Sequence, residues 1–236
     1  MPAPEQEARR RARQVQSGAA RAAVLGVSDG LVTNVSLILG VAGAQTSGKV
    51  VLLAGLASLV AGAFSMAVGE YVSIAAQVEL LQNLLADFRE HLRTHPEDAR
   101  EQLEQFIHRG GVLQATAHNA SKQIAMIPDR ALAVYARSLG LDPEELGSPW
   151  GSAISSLFTF AGGAAVPLLP WFFSSGSMAA ALSVASGGLA ALAVGAALGY
   201  LGGRNVAWSA FRQLLVLCLA AGATYGAGKL FDVTVT

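Results

Sequence analysis

Aspartate 29 and glutamate 70 stand inside long apolar segments of this 236-residue chain. A carboxylate in hydrocarbon is costly, so an acid kept there points first to ion or proton traffic. Met66 precedes Glu70 by four residues, which puts the two on one face of a helix. At 1.5 Å per residue, Asp29 lies about 11 Å into its segment. Counted from the opposite end of the next segment, Met66 lies about 11 Å in and Glu70 about 5 Å. If the two segments run antiparallel, Asp29 and Met66 share a depth and Glu70 sits one turn away. Two carboxylates and a thioether make a mixed hard and soft donor set. It suits a borderline transition metal better than Mg²⁺ or Ca²⁺. The carboxylates can also hold protons, so metal and proton would compete for one site, which is the physical basis of exchange. The alternative is that both acids are hydrated near an interface and Met66 is ordinary core.

A second group lies in the polar middle of the chain. Glu101, Glu104 and His108 fall at i, i+3 and i+7, on one helix face, and His91 and His95 are four apart just before them. Imidazole with carboxylate suits Zn, Fe or Ni, and a solvated polar face is the alternative. Other chemistry has little support. The single cysteine, Cys218, stands in an apolar run with no nearby base, and one thiol allows no disulfide within the chain. No nucleophile elbow, phosphate loop or paired-cysteine motif occurs, so an enzyme is the least expected class and no cofactor is implied. The positions 33–36 (Thr, Asn, Val, Ser) offer polar groups that either line a path or bond across helices.

These residues need apolar elements to carry them. The chain is 53% hydrophobic and 14% charged, against roughly a quarter charged in soluble domains. Residues 150–236 hold three Lys/Arg and one acid, while 75–149 hold most of the acids and all four histidines. So long an apolar stretch takes a bilayer as its solvent, and a net charge of zero gives no electrostatic case for nucleic acid. Five segments have about the 20 residues a crossing requires: 22–44, 50–73, 152–173, 178–202 and 207–228. The first is too long for a cleaved signal peptide. The fold class is therefore all-α, a polytopic membrane protein of five spans.

Orientation follows the basic residues. With the N-terminal tail (1–21) inside, its five arginines, seven basic residues of the 75–149 insert, Arg204 and Arg212 all face the cytosol, leaving only Lys49 and Lys229 outside. The C-terminus is then outside. Within the insert, leucines 80, 81, 84, 85 and 92 form roughly one helical stripe that extends the second span. Pro96 and Pro128 open helices, and Gly110-Gly111 and Gly140 end them. Asp142-Pro143 and Gly147-Ser148-Pro149 return the chain to the membrane. Gly195/Gly199/Gly203 and Gly222/Gly226 have the spacing that lets helices approach closely in lipid. Pro167 and Pro170 interrupt the third span and free backbone carbonyls that something must satisfy.

The same residues carry a resemblance. GVSDGLVTNVSLILGVAGA (26–44) resembles the opening span of the vacuolar iron transporter family. AGAFSMAVGEYVS (61–73) is similar to its second span, and SPWGSAISSLFTFAGGAAVPLLPW (148–171) to its third. The resemblance implies a homodimer of five-span subunits with the ion path between them. It implies export of Fe²⁺, and sometimes Mn²⁺, from the cytosol in exchange for protons, with Asp29, Met66 and Glu70 matching the family's path residues. The insert departs from the family's glutamate-rich pattern. Gln102 and Gln105 replace expected acids in REQLEQF, and Arg137 and Ser138 replace acids before Leu139-Gly140. An amide is a weaker ligand than a carboxylate, and an arginine repels metal. Two alternatives therefore stand: a transporter of the same fold for another metal without a cytosolic store, and a structural membrane protein whose insert docks a partner. A bacterial cell membrane is expected from the short tail, or a vacuolar membrane in a eukaryote.

Overall fold

The computed structural model describes residues 18–44, 46–140 and 148–230, and every regular element among them is helical. In chain order these are α1 (Gly18–Gly43), α2 (Gly48–Thr94), α3 (Pro96–Arg109), α4 (Gln114–Ala125), α5 (Pro128–Ser138), α6 (Pro149–Leu168), the single turn α7 (Pro170–Phe173), α8 (Gly176–Leu201) and α9 (Val206–Leu230). Five of them, α1, α2, α6, α8 and α9, are long and apolar enough to cross a bilayer. The protein is an all-α, integral membrane protein. The second expected span and the leucine stripe after it are one continuous 47-residue helix, roughly 70 Å long at 1.5 Å per residue. The third expected span breaks at Leu169, between Pro167 and Pro170, into α6 and α7. Asp142-Pro143 and Gly147 lie outside the described residues.

Contacts divide the chain into two units, one built from Ala19–Tyr71 and the helices from Trp150 onward, the other from Val72–Pro149. In the first, α1 is the central helix. Its Leu31 and Val35 are buried with Ala191 of α8 and with Leu217 and Ala221 of α9. Its Ile38 is buried with Val51 of α2, Leu168 of α6, Trp171 of α7 and Ala179 of α8. Two faces of α1 are thus packed, while Val24, Leu25 and Asp29 stay exposed.

Close approach comes from glycine. A Cβ at Gly26 would strike the Thr159 hydroxyl, one at Gly30 the Phe160 carbonyl, and one at Gly163 the Val27 carbonyl. Gly26 thus meets Ser156–Phe160, Gly30 meets Phe160–Ala164, and Ile38 meets Leu168. The numbers rise together, so α1 and α6 run parallel. Against α6, α2 runs the other way: Gly55 meets Leu168, Gly62 meets the Phe160 ring, and the Tyr71 ring lies 4.8 Å from that of Trp150. In lipid such small-residue seams supply the packing that apolar burial cannot.

The spaced glycines of the later helices divide. Gly195 and Gly199 press on Ser209, Ala210 and Val206 of α9, whereas a Cβ added at Gly222 or Gly226 would meet nothing within 4 Å among the described residues. Gly203, with φ of 62°, makes the turn between α8 and α9, and Asn205 caps α9 by accepting from the Trp208 N–H at 3.0 Å.

Around the proline break several carbonyls take side-chain donors. Pro170 has no N–H for the Val166 carbonyl, which instead faces the Ser186 hydroxyl at 3.5 Å. Ser183 accepts from Trp171 Nε1 at 2.8 Å and donates to the Pro167 carbonyl at 2.6 Å. Asn34 Nδ2 donates to the Ala164 carbonyl at 2.6 Å. Each donor comes from a neighbouring helix or from α7.

The second unit is a small helical cluster. Phe88 of α2, Ala99 and Leu103 of α3, and Ala131 and Leu132 of α5 form its core. Phe88 stacks on Tyr135 with ring centroids 3.9 Å apart. Of the expected leucine stripe, Leu81 is buried and Leu80 is 56% exposed, so the packed face follows 81, 85, 88 and 92. Gly111 and Gly140, with φ of 91° and 74°, end α3 and α5 in the left-handed region that suits glycine.

The α1–α6 seam has a direct test. Gly30→Val should destabilise the folded protein by about 1–3 kcal/mol or more through overpacking, read as a lower melting midpoint in detergent. Gly222→Val, at a position with nothing within 4 Å, should melt close to the unsubstituted chain.

Candidate functional site

Asp29 lies on α1 between the two glycines of the seam, and its carboxylate is exposed. Among the described residues its bonded neighbour is Thr33, whose hydroxyl donates to Asp29 Oδ1 at 3.2 Å one helical turn on. Met66 on α2 is half-buried and packs against the cluster of Ala63, Phe160 and Ala164. Phe160 thus relates the two sides, its backbone against Gly30 and its ring against Gly62. Asp29 and Met66 are held within about one turn, roughly 5 Å, of a common level. Glu70 is half-buried one turn further along α2, beside the Tyr71–Trp150 ring pair. Its carboxylate and the Met66 thioether share a helix face. Together the three side chains would offer hard oxygen and soft sulfur, and the tight α1–α6 contact fixes the backbone that carries Asp29.

Of the polar positions following Asp29, Asn34 and Ser36 are buried. Asn34 is fully buried and bonds across to α6, so it ties helices together.

In the Val72–Pro149 unit the three candidate residues face different partners. Glu104 is 8% exposed and accepts from Arg100 at 3.0 Å, from Gln114 at 2.7 Å and from His118 Nδ1 at 2.9 Å. Glu101 is exposed and 3.5 Å from the Gln105 amide. His108 is exposed, with Nδ1 at 2.9 Å from the Val112 carbonyl. Among the described residues, no three His, Cys, Asp or Glu side chains are grouped to hold a metal. Hydrogen bonding from His118, aided by its charge and by Arg100, outweighs burial and holds the Glu104 carboxyl below the usual glutamate range. Arg100 is held above its ordinary value, chiefly by its bond to Glu97. Three donors on one buried carboxylate make a structural latch between α3 and α4.

A family model described as the VIT family matches residues 20–229. The chain belongs to the VIT family. It is 37% identical over 219 residues to vacuolar iron transporter homolog 1 of Oryza sativa subsp. japonica, covering 90% of this chain and 74% of that one. Homolog 2 of the same organism is also 37% identical, over 89% of each chain. The vacuolar iron transporter of Acanthamoeba castellanii is 34% identical over 92% of this chain and 80% of its own. This is a family of membrane transporters, and this VIT family chain is a transporter rather than an enzyme.

Two residues of this VIT family member escaped the sequence reading. Phe160 looks like any apolar residue until its ring and backbone are seen against α2 and α1. His118 is 14 residues from Glu104, and only the α3–α4 turn brings them together. The signal that was available was the apolar face of α3, which places Leu103 inward and carries its neighbour Glu104 with it.

The latch has a definite pH sign. A carboxyl depressed in the folded state stabilises above its unfolded pKa, and that stabilisation is lost as pH falls through the folded value. Unfolding of the Val72–Pro149 unit, followed by hydrogen exchange at α3 and α4, should therefore become easier below the usual glutamate range. Glu104→Gln should lower protection at neutral pH and flatten the acid dependence.

Proposed function

We propose that this chain exports Fe²⁺, with Mn²⁺ as a second cargo, from the cytosol in exchange for protons, along a path lined by Asp29, Met66 and Glu70. The observation that carries the reading is an exposed carboxylate, Asp29, on a central helix of an apolar bundle, within about one turn of the level of a thioether and about two turns of a second acid. An acid facing lipid is untenable, so a polar cover is required. A second copy of the chain supplies it in this reading, with the path at the dimer interface. The relatives' names speak of iron and support the cargo.

The exchange follows from the donors. Each carboxylate holds either a share of the metal or a proton, so loading one from the cytosol favours release of the other. Met66 adds a soft donor that favours Fe²⁺ over harder ions. The expected topology puts the N-terminus and the Val72–Pro149 unit in the cytosol and the C-terminus outside, in a bacterial cell membrane or a vacuolar one. Engagement of Glu104 by Arg100 and His118 favours a second reading of the cargo, in which no cytosolic glutamate store selects iron and another divalent metal is carried on the same path.

Proteoliposomes with an imposed pH gradient test this, offered Fe²⁺, Mn²⁺, Zn²⁺ and Co²⁺ separately. The chain should take up Fe²⁺ only with the gradient, and Asp29→Ala should reduce uptake by about tenfold or more. Uptake that ignores both the gradient and Asp29 would overturn the reading. Met66→Leu keeps the volume but removes the sulfur, so it should slow Fe²⁺ more than Mn²⁺, as judged by their uptake ratio.

A further inference from the structure

We propose that the end of α2 carries a two-histidine site, His91 and His95, for a divalent transition-metal ion. His91 lies in the last turn of α2 and His95 directly follows its end, where the His95 N–H donates to the His91 carbonyl at 2.8 Å. The rings therefore stand on one face, one turn apart, with centroids 5.4 Å apart and planes inclined by 22°. His-x-x-x-His closing the last turn of a helix can present two nitrogens to one ion.

The nitrogens themselves support this. His91 Nε2 is buried and has no hydrogen-bond partner among the described residues, and a buried nitrogen without one is an unmet demand that a metal bond would satisfy. His95 is exposed, and its Nδ1 lies 2.9 Å from the Thr94 hydroxyl. That contact orients the ring and leaves Nε2 for a ligand, as an outer hydrogen bond does for a metal-binding imidazole.

The surrounding charges permit a cation. Arg93 is bound to Glu90 at 2.9 Å, and Arg89 lies 3.8 Å from Asp129, so both nearby guanidinium groups face acids. Asp87, one turn before His91, and Asp98, three residues after His95, are exposed carboxylates. Water would complete the coordination. Two imidazoles select Zn²⁺, Ni²⁺, Cu²⁺ or Fe²⁺ over Mg²⁺ and Ca²⁺. The pair lies in the Val72–Pro149 unit and uses none of the residues assigned to transport.

The experiment uses the full chain in detergent, carrying Asp29→Ala, so that its outcome stands whether or not the transport reading holds. Zn²⁺ alone, Ni²⁺ alone and Mg²⁺ alone are titrated by calorimetry, and Cu²⁺ is added for electron paramagnetic resonance. Zn²⁺ and Ni²⁺ should bind and Mg²⁺ should not. His95→Ala should weaken Zn²⁺ binding by about tenfold or more and reduce the Cu²⁺ nitrogen hyperfine pattern from two nitrogens to one. His91→Ala with His95→Ala should remove both signals. Equal Zn²⁺ affinity in the chain with and without His95→Ala would overturn the proposal, as would a two-nitrogen Cu²⁺ pattern surviving the double substitution. His95 is exposed, so if His91→Ala disturbs folding, His95→Ala alone decides the matter.

Discussion

Backbone-to-backbone approach of α1 and α6 is the contact on which the membrane unit depends. Gly26 and Gly30 on one side and Gly163 on the other leave no room for a Cβ. Without that proximity Asn34 does not reach the Ala164 carbonyl, and Phe160 does not sit between Gly30 and Gly62. Lipid tails are as apolar as leucine, so burying apolar side chains between helices gains little in a bilayer. Fit and hydrogen bonding must supply the cohesion, and fit is closest where side chains are absent. The same contact explains how an acid can be held at a defined place in an apolar helix. Asp29 lies between two positions clamped to α6, so its backbone is fixed even though its side chain faces outward.

The break at Pro167 and Pro170 shows the same economy with polar groups. A helix interrupted in hydrocarbon exposes carbonyls, and such groups are tolerated only when protein or water satisfies them. Here Ser186 faces the Val166 carbonyl, and Ser183 and Asn34 donate to the nearby Pro167 and Ala164 carbonyls. Ser183 also receives the Trp171 indole. The side chains that mend the break thereby cross-link α1, α6, α7 and α8. A kink that weakens one helix becomes a junction for four.

In the other unit the chemistry of one glutamate is decided by its neighbours. Glu104 has the residue type of a metal ligand, but Arg100, Gln114 and His118 occupy its oxygens. A carboxylate so engaged works as a fastener between helices. The histidines at the end of α2 are in the opposite situation, with nearby arginines already committed to acids.

Much of this was legible in the sequence. Hydropathy alone marked the five membrane helices, because a bilayer's thickness sets the length of an apolar run and any crossing segment must satisfy its own backbone. Proline and glycine marked the ends of α3 and α5 for equally local reasons. Met66 and Glu70 could be placed on one face because helical periodicity depends only on spacing. What spacing could not reveal was which partner each side chain meets. Glu101, Glu104 and His108 have the numbering of one face, yet Glu104 turns to His118 because two helices meet there. Gly195 is packed and Gly222 is open, though both belong to the same kind of spacing. Those distinctions rest on contacts between residues far apart in the chain, and only the tertiary structure brings such residues together.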